Sequence, residues 1–147
     1  MEKNNASKII LDNITANEKD KLYLKNSFKT SVEQLEKKII NNNYDLIISF
    51  GECPLDLNTI RLESTGRSEV EEINSNYNFK LLKDKLKCNG YKVIMSDDAG
   101  NYLCNNIYYN GLKIIRDNKL RCNMIFIHIP TIDKIEDIEK LATILTL

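Results

Sequence analysis

Cys104 and His128 are the two residues in this chain best suited to covalent chemistry, and His128 is the only histidine. Cys104 follows a strand pattern and a glycine-containing turn, at the predicted first turn of a helix. Free backbone N–H groups and the helix dipole there favour a thiolate, and the same N–H groups can serve a tetrahedral oxyanion. A cysteine hydrolase also needs a base beside the thiol and a third group to orient that base. Glu52, Glu63, Asp97 and Asp98, all at loop or strand-end positions, are the acidic candidates for the third role. Plainer readings stand beside each of these. Free cysteine is among the most buried residue types, a histidine in an apolar strand is commonly a hydrogen-bonded core residue, and most carboxylates are solvated surface charges. Cys53, Cys88 and Cys122 have no comparable setting and read as structural or incidental.

The elements that must position these residues follow from apolar periodicity. Lys8, Ile9, Ile10, Leu11 and Asp12 form a short strand candidate. Phe28, Val32, Leu35 and Ile39 recur at helical spacing, predicting a helix over 27–41 and then a strand over 45–50, with Gly51 marking the turn at its end. Residues 57–62 alternate as a half-buried strand, and residues 63–78 are dominated by polar side chains. Phe79, Leu82 and Leu86 share a helical face that closes at Asn89-Gly90, a C-terminal signal. A strand over 92–96, a helix over 103–116, a strand over 124–129 stopped by Pro130, and a C-terminal helical stripe from Ile135 to Leu145 complete the pattern. Alternating strands and helices imply a three-layer α/β/α sandwich with a largely parallel central sheet. Residues 1–147 read as one domain. In such folds, sites form beyond the carboxyl ends of strands, where Gly51, the 97–102 turn and His128 all fall.

Composition excludes several other functions. Lys plus Arg and Asp plus Glu are both 21, giving zero formal net charge, without the basic excess of a nucleic-acid binder. No apolar run reaches the ~18–20 residues needed to span a membrane, and the start of the chain lacks the pattern of a secretory signal. The four cysteines include no CxxC pair and no histidine cluster, so neither a disulfide framework nor a structural metal site is expected. The expected setting is cytoplasmic, without cofactor or metal.

Ser96-Asp97-Asp98-Ala99-Gly100-Asn101-Tyr102-Leu103-Cys104-Asn105 resembles the nucleophile motif of the pyroglutamyl-peptidase I family: Ser, two variable residues, Ala-Gly, a variable residue, an aromatic, Val or Leu, then Cys-Asn. Tyr108-Tyr109 suits that family's aromatic in the following helix. Phe126-Ile127-His128-Ile129-Pro130 is similar to its Phe-Ile-His-Val-Pro motif, with His128 24 residues after Cys104. Ile60-Arg61-Leu62-Glu63 resembles the start of its glutamate motif, and the strand at 44–51 resembles its Pro-Asp-x-Val-Ile-x-x-Gly strand.

The resemblance implies a cysteine exopeptidase that removes pyroglutamate from peptide or protein N-termini. Cys104 would be nucleophile, His128 base and Glu63 the orienting carboxylate. Gly51, Glu52 and Gly100 would line the substrate site, and self-association is also implied. The sequence departs from the family in three places. It lacks the first strand and the Gly-Phe-x-Pro-Phe-Gly loop, so it enters the fold one strand late. It carries Glu52-Cys53-Pro54-Leu55 where the family has Gln and a Gly-Gly-Arg stretch. Its segment after Glu63 is short. These departures keep two alternatives open: a catalytically impaired homologue acting as a binding or subunit-interaction domain, and an amide hydrolase of altered specificity.

Overall fold

A computed structural model describes residues 5–24, 27–100 and 102–147, so Asn101 of the cysteine motif lies outside the described residues. The element order is α1 (Ala6–Asn13), α2 (Phe28–Ile40), β1 (Leu46–Glu52), β2 (Thr59–Glu63), β3 (Thr65–Arg67), β4 (Glu72–Asn74), α3 (Lys80–Cys88), β5 (Lys92–Ser96), α4 (Leu103–Asp117), β6 (Asn123–Ile129) and α5 (Ile138–Ile144). Short 3-10 turns occupy Glu18–Asp20 and Ile132–Lys134.

The central sheet has the order β1-β6-β2-β5. β1 pairs with β6 and β2 with β5 in parallel, whereas the middle pairing of β2 with β6 is antiparallel. Because side chains alternate across a strand, β6 serves both faces. Ile125, Ile127 and Ile129 pack with Ile60 and Leu62 of β2 under α1, α3 and α5. Met124 and Phe126 face α2 and α4 with Leu35, Ile39, Ile107, Tyr108 and Leu112. The expected three-layer α/β/α arrangement with a largely parallel sheet is therefore present. The central reversal is a feature that the apolar runs could not reveal.

Three local expectations are corrected. Residues 8–12 are helical, in α1, not a strand. The Asn5 side chain caps this helix by accepting from Ser7 N at 2.9 Å and Lys8 N at 3.3 Å, and the Glu52 carboxylate accepts from Ala6 N at 2.6 Å. With its end satisfied, the i, i+4 pair Ala6 and Ile10 becomes fully buried. Next, Gly51 lies inside β1, which continues to Glu52. Finally, the C-terminal helix is shorter than the stripe from Ile135 to Leu145: α5 begins only at Ile138, leaving Ile135 outside it, and its start is fixed by the Asp137 side chain accepting from Lys140 N at 3.0 Å. Other signals hold: Ser27 caps α2 through Thr30 N at 3.2 Å, and Gly90 takes a φ of +90° after α3.

The polar segment after Glu63 folds into the β3–β4 hairpin, which fastens α4 over the sheet. A Cβ on Gly66 would stand 2.6 Å from Tyr109 Cα, so only glycine permits the hairpin backbone to lie directly on the helix. Asn105 and Arg67 exchange hydrogen bonds, with Arg67 N donating to Asn105 Oδ1 at 2.9 Å and Asn105 Nδ2 to Arg67 O at 2.8 Å. The fully buried Tyr108 hydroxyl donates to Glu63 O at 2.8 Å. The residue after Cys104 and the residue four beyond it are thereby tied to the segment carrying Glu63. Among the described residues no helix is long and apolar enough to cross a membrane.

Candidate active site

Cys104 is the second residue of α4 and projects toward β1. Its Sγ lies 2.8 Å from the position a Cβ on Gly51 would occupy, and the Phe126 ring lies equally close to that point. Gly51 is in register with His128 across the parallel β1–β6 pair. Register partners present side chains to the same face on strands roughly 5 Å apart. The thiol therefore sits over the sheet beside the imidazole. Phe126 packs against that imidazole, with ring centroids 4.8 Å apart.

The antiparallel pairing supplies the third group. Arg61 is in register with His128, and Glu63 with Phe126, so all four side chains share the face beneath α4. Glu63 Oε1 lies 2.9 Å from His128 Nδ1, with Glu63 fully buried and His128 only 3% exposed. Of the acidic candidates, Glu63 alone reaches the histidine ring; Asp97 and Asp98 are exposed in the turn after β5. Arg61 was not singled out from the sequence, yet its Nε donates to the same Oε1 at 2.5 Å and its Nη2 lies 3.3 Å from His128 Nδ1. The period-2 alternation of β2 carries the signal that places Arg61 with Glu63.

Burial pushes the Cys104 thiol up to about 11, reinforced by Cys53 and Glu63 and opposed by Arg61 and the Cys104 backbone N–H. Placement at a helix start predicted the opposite direction, and here desolvation outweighs the helix end. For Glu63, burial acts to raise the pKa, but the His128, Ser96 and Arg61 side chains outweigh it and hold the carboxyl below the usual range. Among the described residues Glu63 Oε2 has no hydrogen-bond partner. Ser96, in register with Glu63, directs its hydroxyl to Asp98 O at 3.1 Å.

The substrate-lining candidates lie in different places. Gly51 forms the floor under the thiol. The Glu52 carboxylate is directed to the first turn of α1. Gly100 has a φ of +92°, and its N–H donates to Asp98 Oδ1 at 2.9 Å, shaping the approach to α4. Cys53 follows β1, its N–H bonded to Ile129 O at 2.9 Å, close enough for its charge to be felt at Cys104. A cavity of about 640 Å³ runs along the outer edge of β1 and reaches Cys104. Leu35 and Ile39 of α2 wall one side of it, and Leu11 and Leu145 wall the other. Among the described residues no group of three or more His, Cys, Asp or Glu could hold a metal ion.

A family model described as pyroglutamyl peptidase matches residues 73–144, which include Cys104 and His128. The pyrrolidone-carboxylate peptidase of Clostridium perfringens is 26% identical over 148 residues, covering 86% of this chain and 70% of the relative. That of Brachyspira hyodysenteriae is 29% identical, covering 76% and 66%. Among solved structures, the pyrrolidone carboxyl peptidase of Thermococcus litoralis aligns with a TM-score of 0.79 at 16% identity, covering 97% of this chain and 83% of that one. The enzyme of Fervidobacterium islandicum aligns at 0.71 and 22% identity, covering 88% and 74%. The structural likenesses show the shared fold, and the matched segment and the relatives add sequence kinship. Together they make this chain similar to the pyroglutamyl peptidase family of cysteine peptidases, in fold and over the matched segment.

Proposed function

We propose that this protein is a cysteine exopeptidase hydrolysing the amide bond after an N-terminal pyroglutamyl residue, with Cys104, His128 and Glu63 acting together. The observation that carries this reading is the buried 2.9 Å contact between Glu63 Oε1 and His128 Nδ1, on the face where Cys104 Sγ rests over Gly51. With Nδ1 turned to Glu63, Nε2 is the ring nitrogen left to accept the thiol proton. The thiolate attacks the pyroglutamyl carbonyl and forms a tetrahedral oxyanion, which the backbone N–H groups at the start of α4 stabilise. His128 then donates its proton to the departing amine as the C–N bond breaks, leaving a thioester. Water, deprotonated by the same ring, releases pyroglutamate and restores the thiol.

The resting thiol, pushed up to about 11, is protonated at neutral pH, so nucleophilicity depends on proton transfer to His128 within the complex. The β1-edge cavity supplies the apolar approach to Cys104. In this reading the chain acts as one domain, in the cytoplasm, on peptides or proteins bearing pyroglutamate. The test is hydrolysis of a pyroglutamyl-linked fluorogenic amide in reducing buffer, beside Cys104→Ala. Turnover abolished in the variant is the expected result. Turnover that survives the substitution refutes the assignment.

A further inference from the structure

Glu63 Oε1 is shared. His128 Nδ1 lies 2.9 Å from it and Arg61 Nε 2.5 Å, while Arg61 Nη2 reaches to 3.3 Å from the same Nδ1. Arg61 is the register partner of the histidine on the antiparallel strand and about one-quarter exposed, so its charge is partly solvated. A guanidinium can only donate. If Nδ1 carries a proton, that proton and the Nη2–H groups converge. If it does not, Arg61 supplies the donor the ring accepts. The arginine therefore competes with the ring for the carboxylate.

We propose that Arg61 is a positioning residue for the Glu63–His128 pair, holding Oε1 at the ring while offsetting the carboxylate charge that the imidazole faces. Two further observations support this. Among the described residues Glu63 Oε2 is buried without a partner, so Arg61 acts on one carboxylate oxygen rather than clamping both. Cys104 is also pushed toward its neutral form, mainly by burial, so the thiol adds no resting anion to the carboxylate charge that Arg61 offsets. The titratable and charged groups gathered here are Arg61 and Glu63 from β2, Cys104 and Tyr108 from α4, and Glu52 and Cys53 at the end of β1. Tyr108 is committed to Glu63 O and Glu52 to Ala6 N, which leaves Arg61 as the cation beside the ring. The role concerns the same site as the proposed peptidase and rests on that reading only for its catalytic consequence.

Because His128 is the only histidine, its ring signals in proton and nitrogen-15 NMR are unambiguous. Their titration would be followed in the substrate-free wild type, Arg61→Met and Arg61→Lys, with circular dichroism to verify folding. Losing the cation exposes the ring to the full charge of Glu63, so the Arg61→Met midpoint is expected to move to higher pH. Arg61→Lys, which keeps the charge, is expected to restore most of that change. The acid limb of kcat/KM on a pyroglutamyl amide should follow the same order. An unchanged midpoint in Arg61→Met overturns the proposal whether or not the protein is a peptidase. A moved midpoint with no turnover keeps the electrostatic role and tells against the peptidase reading instead. If Arg61→Met does not fold, Arg61→Gln serves as the uncharged variant, with the same midpoint deciding.

Discussion

The sulfur of Cys104 rests on the bare Cα of Gly51, 2.8 Å from where that residue's Cβ would be. This contact couples β1 to α4 and fixes the height of the Cys104 thiol above the sheet, next to the register position of His128. Side-chain volume at residue 51 would enter the space of the sulfur and of Phe126 together.

Gly51→Ala is therefore expected to displace the thiol by a substantial fraction of an ångström. Misplacements of that order cost roughly 100-fold in rate. Overpacking should lower stability by about 1–3 kcal/mol. Steady-state kinetics and thermal melts check both. Wild-type kcat/KM in the variant would show that the contact does not set the nucleophile.

Glu63→Gln keeps the shape of the side chain but removes the charge that orients and supports the imidazole. We expect kcat/KM to fall by roughly 100- to 10,000-fold. The pH dependence of stability follows the direction of the Glu63 shift. Its folded pKa lies below the unfolded value of about 4.3. The carboxylate thus contributes stability above the unfolded value, and that contribution is lost as pH falls through the folded one. Melts from neutral to acid pH should show a steeper acid loss for the wild type than for Glu63→Gln; parallel curves contradict the assignment.

Alkylation separates the four free cysteines, with Cys88 exposed and Cys104 half-buried. Peptide-resolved reaction with iodoacetamide should find the exposed Cys88 modified readily. Cys104 in the substrate-free protein should be slow at neutral pH, its rate climbing toward about 11. A Cys104 rate already at its plateau at pH 7 would point to a resting thiolate and contradict a thiol kept protonated by burial.

Tyr108→Phe removes the hydroxyl that donates to Glu63 O and leaves that carbonyl short of a buried partner. The expected cost is about 1–3 kcal/mol in denaturant unfolding, with a smaller loss of activity than in Glu63→Gln. An equal loss in both variants would assign Tyr108 a direct part in the chemistry.

Much of this protein was legible in the chain alone. Leu35 with Ile39 and Leu82 with Leu86 report helical faces through spacing, and the 45–50 and 124–129 runs report strands covered on both sides. The Ala-Gly-Asn-Tyr-Leu-Cys-Asn and Phe-Ile-His-Ile-Pro motifs single out the proposed nucleophile and base, and carry the family resemblance, because they are local in sequence. Residues 8–12 fit a strand by pattern but form a helix, because a short apolar run has no decisive period. Their helix depends on the cap from Asn5 and on Glu52, 46 positions from the Ala6 amide it accepts from.

Tertiary structure alone decided three matters. Strand direction at the centre of the sheet is a pairing property, invisible to periodicity, and only the antiparallel β2–β6 register brings Arg61 and Glu63 to His128. The acidity of Cys104 depends on how deeply α4 buries it, and that depth reverses the direction expected from a helix start. The sharing of one carboxylate oxygen between a base and a guanidinium is a matter of ångströms between strands. The sequence determined which chemical groups are available; packing decided which of them meet, and in what state of charge.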